Sequence, residues 1–151
     1  MESSSGVGVG GGVGGGFVFF AFGDWGYPNP LLAQAMDKWA TTVEAPSFIL
    51  ALGDNFYPSG PMSTTDDKWK TNWINIFLKY DSLKVPWKVI LGNHDYDGKP
   101  ECQVAYTQAP HNPLGLWQMP DRNYTFQYPL PNNKVVEFFG LDTRWLIPRS
   151  L

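Results

Sequence analysis

Cysteine occurs once in this chain, at Cys102, and histidine only twice, at His94 and His111. A lone cysteine excludes an intrachain disulfide, so the stapled framework of many small secreted domains is absent and the redox compartment stays open. Cationic residues are few as well: 11 Lys and Arg stand against 14 Asp and Glu, a formal charge of -3. That balance gives no general attraction to nucleic acid or anionic membranes, and an anionic substrate would need a local cation to bind. No apolar run approaches the roughly 18 to 20 residues of a membrane-spanning helix. No fixed period recurs along the chain, which excludes a solenoid. The segment 1–16 carries Glu2 where a signal peptide needs positive charge, and glycine where it needs a leucine-rich core. It reads as a disordered glycine-rich tail or as mistranslated upstream sequence.

Apolar material, by contrast, is ample. With 43% hydrophobic and 16% aromatic residues in 151, the remainder, 17–151, can build one domain with its own core. Three short apolar runs, at 17–22, 47–52 and 86–91, each end at a glycine and read as strands buried on both faces. Between the first two, Leu31, Leu32, Ala35, Met36 and Trp39 recur at helical spacing, with Asn29 as cap and Pro30 at the first helical position. Between the second and third, Trp69, Trp73, Ile76, Phe77 and Tyr80 predict an amphipathic helix over 66–80 whose aromatics pack the core. The βαβ rhythm then fades. A short helix is expected over 101–109, and two strands, 124–128 and 135–141, joined by a turn at Pro131-Asn132-Asn133. The class is α/β.

The chemistry concentrates in the loops after the three buried strands: Gly23-Asp24-Trp25-Gly26, Gly53-Asp54-Asn55-Phe56-Tyr57 and Gly92-Asn93-His94-Asp95. Loops at the C-terminal ends of strands in an open α/β sheet face one crevice, so Asp24, Asp54, Tyr57, Asn93 and His94 can meet there. Two carboxylates, a phenol and an amide oxygen form a hard donor set suited to iron, manganese or another divalent ion. Buried without cations, the two aspartates would repel each other and lose their hydration. A carboxylate bridging two cations about 3.5 to 4 Å apart is the arrangement of two-metal hydrolysis, in which a hydroxide attacks phosphorus, and Asp54 on the central strand is the candidate bridge. His111, among prolines, and Cys102 read as structural. Asn123-Tyr124-Thr125 fits a glycosylation sequon, a triplet that also arises by chance.

The set GDWG, GDNFY and GNHD resembles the metallophosphoesterase (calcineurin-like) superfamily, and Tyr57 narrows the resemblance to the purple acid phosphatases of the small, tartrate-resistant type. It extends over about Phe17 to Thr143, including KVPWKVILGNHD and FFGLDT. The resemblance implies a partial αββα sandwich, a mixed sheet with βαβ units and flanking helices, and a second sheet left incomplete. It implies that Asp24 and Tyr57 bind a ferric iron, that Asp54 bridges, and that Asn93 binds a second ion, Fe(II), Zn or Mn. His94 is then expected to hydrogen-bond the phosphate or leaving group, and Asp95 to orient His94. The implied reaction is hydrolysis of phosphomonoesters at acidic pH.

One departure stands out, because the family adds three histidines from two later strand ends and this sequence contains none of them. The expectation is therefore a truncated chain, either an acid phosphatase compromised in isolation or an inactive remnant that binds metal, phosphate or a partner chain. A phosphodiesterase of the same superfamily is the weaker alternative, since Tyr57 suits iron–phenolate chemistry. Family members are mostly secreted, vacuolar or lysosomal, and the compartment of this chain is left open.

Overall fold

A computed structural model describes residues 16–146, so the tail read over 1–16 lies almost wholly outside the described residues, as does 147–151. Its elements are β1 (Phe19–Phe22), α1 (Pro30–Thr42), β2 (Phe48–Leu52), a π-helical turn (Trp69–Ile74) running into α2 (Asn75–Phe77), β3 (Trp87–Ile90), α3 (Pro100–Tyr106), β4 (Trp117–Gln118), β5 (Tyr124–Leu130) and β6 (Lys134–Gly140). Strands β1 to β4 form a parallel sheet in sequence order, and β5 and β6 form a separate antiparallel pair. Each neighbouring strand needs a crossover, which α1, the π/α2 segment and α3 supply.

The two faces of the parallel sheet divide the core. On one face Phe20, Phe22, Ile49, Ala51, Trp87 and Val89 are buried against α1 and the tryptophans around it. Trp87 lies 5.4 Å from Trp25, 5.1 Å from Phe77 and 5.8 Å from Trp73, ring to ring. On the other face the hairpin lies over Phe19 and Phe48: Phe138 is 5.8 and 5.3 Å from these rings and Phe126 is 5.4 Å from Phe48. Two hydroxyls fix this layer, Tyr124 donating to Val89 O at 2.9 Å and Tyr128 to Ser47 Oγ at 2.8 Å. Helices, parallel sheet and hairpin are thus three layers of an αββα sandwich. No helix among the described residues is long and apolar enough to cross a membrane.

Local chemistry accounts for the boundaries. Asn29 Oδ1 accepts from Leu32 N at 3.0 Å and caps α1, with Pro30 following as the first helical residue. The buried stripe of α1 is Ala33, Met36 and Ala40, flanked by Leu32 and Trp39, whereas Leu31 and Ala35 face solvent. Small alanines on that stripe allow the helix to lie close to Phe20. The predicted helix over 66–80 is a widened π turn before a short α turn, and it buries Trp69, Asn72 and Trp73 together. The hairpin turns through Asn132 and Asn133 at φ 62° and 58°, a left-handed pair that asparagine tolerates. Strand β4 escaped the sequence pattern because two residues carry no periodicity, yet Trp87 pairs with Trp117 and Lys88 with Gln118.

Trp87→Ala is expected to cost about 3 to 5 kcal/mol in urea unfolding, since a fully buried ring is lost from the sheet–helix face. Asn29→Ala should cost only about 1 kcal/mol, the worth of one helix cap.

Candidate metal centre

Strands β1, β2 and β3 are adjacent and parallel, so the loops that leave their C-terminal ends lie side by side. Backbone bonds stitch them together: Asp24 N donates to Gly53 O at 3.1 Å, Tyr57 N to Gly26 O at 3.1 Å, and Gly60 N to His94 O at 3.0 Å. Asp24 and Asp54 both take left-handed backbone conformations, φ 56° and 50°. Such conformations are uncommon for residues with a side chain and persist where the surroundings enforce them. Gly92 is part of that enforcement, because a Cβ there would overlap the amide and carboxylate of Asp54.

These turns aim two carboxylates at one phenol. The Tyr57 hydroxyl oxygen lies 3.0 Å from Asp24 Oδ1 and 2.9 Å from Asp54 Oδ2, while Asp54 Oδ1 accepts from His94 N at 3.0 Å. A phenol has one proton and can satisfy one of those carboxylates at a time, so the other close oxygen pair has no hydrogen between its members. Burial, the two hydrogen bonds and the charges of Asp54 and Asp24 all push the Tyr57 phenol well above the usual tyrosine range. A cation reverses this balance: it draws three oxygens that otherwise compete for one proton. The donor set therefore fits a hard metal ion. Among the described residues no three His, Cys, Asp or Glu side chains come together, and the cluster consists of two carboxylates and a phenol.

Asn93 precedes the short turn His94–Asp97 and is exposed, its side chain making no capping bond to that turn. The His94 ring stands edge-on to the Tyr57 ring at 4.8 Å, with Nδ1 2.9 Å from Pro58 O and 3.7 Å from Asp97. Asp95 does not orient it, contrary to the expectation from resemblance. The Asp95 carboxylate is buried on the far side of the turn, accepting from Gly92 N at 2.8 Å, Gln103 Nε2 at 2.8 Å and Asn55 N at 3.2 Å. Burial pushes Asp95 up to about 6 against the pull of these donors, and the charge of Asp54 adds to the rise. Its work is to clamp the second and third loops together. His111, as expected, is structural: Nε2 meets Thr64 O and the ring packs on Tyr106.

Two members of the clamp were missed in the sequence. Asn55, wholly buried, donates from Nδ2 to Ile90 O at 2.8 Å and to Gln103 Oε1 at 3.1 Å, and accepts from Trp25 Nε1 at 3.0 Å. Gln103 shares the buried face of α3 with Pro100 and Tyr106, a three-residue spacing that could have drawn attention to a polar residue in a core position. Asn72 from the π turn completes the support by donating to Gly26 O at 2.6 Å.

The family model for the calcineurin-like phosphoesterases matches residues 17–147. The chain belongs to the calcineurin-like phosphoesterase family. Within it, the chain is 35% identical over 141 residues to the tartrate-resistant acid phosphatases type 5 of Sus scrofa and Homo sapiens, a match covering 87% of this chain. It is 30% identical over 133 residues to purple acid phosphatase 4 of Arabidopsis thaliana. The chain spans about two fifths of the length of these curated relatives, 40% and 42% of the two mammalian enzymes and 36% of the plant one. A solved structure described as GAP50, the anchor in the inner membrane complex of Plasmodium, superposes with a TM-score of 0.71 at 24% identity, over 87% of this chain and 43% of that one, and shows the same fold.

Gln103→Leu is expected to leave Asp95 and Asn55 each short of a buried partner and to lower stability by about 1 to 3 kcal/mol per unsatisfied group, read by urea unfolding.

Proposed function

We propose that this chain carries the first group of ligands of a two-cation phosphomonoesterase site working in acid. The observation that carries the proposal is the Tyr57 hydroxyl, held at 3.0 and 2.9 Å between the carboxylates of Asp24 and Asp54. Asp24 and Tyr57 would hold a ferric iron, Asp54 would serve both ions, and Asn93 would serve the second, Fe(II), Zn or Mn. When bound, such ions neutralise phosphate charge and make a water-derived nucleophile available below neutral pH. The net charge of -3 makes that neutralisation necessary, because the acidic crevice would otherwise repel a phosphate monoester.

The chain's own residues supply positioning and protons. Asp54 is fixed by His94 N, so its two oxygens point to different neighbours instead of rotating freely. The His94 ring places Nδ1 at 2.9 Å from Pro58 O, which leaves Nε2 to hydrogen-bond a phosphate or leaving-group oxygen. The similarity to acid phosphatases supports this role assignment.

A second reading rests on the ligand count. Asp54 and Asn93 alone serve the second ion among the residues named here, so a chain that binds metal without turnover also fits. Loading with iron is expected to give a visible phenolate-to-iron band that Tyr57→Phe abolishes; a preparation saturated with iron that shows no Tyr57-dependent band refutes both readings. Hydrolysis of p-nitrophenyl phosphate that falls by at least a hundredfold in Asp54→Ala, roughly 2.7 kcal/mol of transition-state stabilisation, selects the enzyme. A Tyr57-dependent band without Asp54-dependent hydrolysis selects the metal-binding remnant.

A further inference from the structure

A second place in the molecule has charge without a counter-charge. Between β4 and the hairpin lies a cavity of about 320 Å³, and none of the metal-centre residues lines it. Lys88 does. It sits in the middle of β3 on the face toward the hairpin, a position where an apolar residue would pack, and its side chain is partly buried. The ammonium is 2.5 Å from Gln118 Oε1 and 4.6 Å from the centre of the Phe126 ring. Ion pairs among the described residues join Lys84 to Asp81, His94 to Asp97 and Arg122 to Glu101, and none reaches Lys88. No carboxylate lines the cavity.

We propose that this cavity binds a small oxyanion, a phosphate or a carboxylate, with Lys88 as its counter-charge. A half-buried cation without an anion has lost hydration that only a dipole and a ring face replace, and an entering oxyanion restores the missing charge. A neighbour has a proton to give. Thr107 Oγ1 already accepts from Met119 N at 2.9 Å, which leaves its hydroxyl hydrogen free to donate. Tyr124 commits its one hydroxyl hydrogen to Val89 O at 2.9 Å, with Gln118 O the longer neighbour at 3.3 Å, so with Phe126 it offers the cavity an aromatic wall. That wall accommodates an aryl or alkyl group attached to the anion. Burial also lowers the Lys88 pKa, with no neighbouring carboxylate to oppose it, and an oxyanion would raise it again.

The test titrates the whole chain, stripped of metal with EDTA so that the first site is silent, with inorganic phosphate in one arm and benzoate in the other, followed by NMR. Saturable shifts are expected for the Lys88 side chain and for Thr107, weakened at least tenfold in Lys88→Met and kept within about threefold in Lys88→Arg. Saturation by phosphate alone identifies an inorganic anion, and saturation by benzoate alone an organic acid; either supports the site. Absence of saturable shifts with both up to about 50 mM, or unchanged affinity in Lys88→Met, overturns it. Because the measurement needs neither metal nor turnover, its outcome is independent of the phosphatase reading.

Discussion

Three acidic oxygens held around one proton set the terms for this molecule. The Tyr57 hydroxyl stands within hydrogen-bond distance of both Asp24 and Asp54, and the phenol can serve one carboxylate only at the expense of the other. In water such a trio would separate. It persists because Asp24 lies just beyond β1 and Asp54 and Tyr57 just beyond β2, and the sheet keeps those two strand ends a single strand spacing apart. The left-handed turns at Asp24 and Asp54 then direct the carboxylates inward. A fold that holds these oxygens together is suited to bind a cation, which would remove the repulsion between them.

The layer beneath the cluster explains its rigidity. Asp95, Asn55 and Gln103 are fully buried and satisfy one another, and through Gly92 N and Ile90 O they fasten the second and third loops to β3 and α3. Trp25 Nε1 reaches the same network from the first loop, and Asn72 holds Gly26 from the π turn. The positions of Asp24, Asp54 and Tyr57 are therefore set by groups outside the cluster, which is how a site acquires geometry as well as composition. Tyr27 stacks on the Tyr57 ring at 4.9 Å and His94 meets it edge-on, so the phenol is also confined from its sides.

Much of this was legible from residue order. Continuous apolar runs ending in glycine marked β1, β2 and β3, and that alone brought Asp24, Asp54, Tyr57 and His94 to one edge. Asn132 and Asn133 marked the hairpin turn, since few other residues accept consecutive left-handed conformations. What stayed hidden depended on direction or on tertiary contact. Asp95 follows His94 directly, but a tight turn sends neighbouring side chains to opposite sides, so adjacency did not make a pair. Gln103 gains its meaning only when α3 packs under the loops. Two-residue β4 has no pattern to detect, and Lys88 reads as an ordinary strand lysine until the hairpin covers it.

The central claim, that a cation takes the place of the shared phenolic proton, is tested most directly by counting protons. Calorimetric titration of the chain with ferric iron as a weak, soluble chelate, in buffers of different ionisation enthalpy, gives the number released per ion bound. The account predicts about one more proton released by the native chain than by Tyr57→Phe. Equal proton release from the two proteins, with binding intact in both, would contradict it.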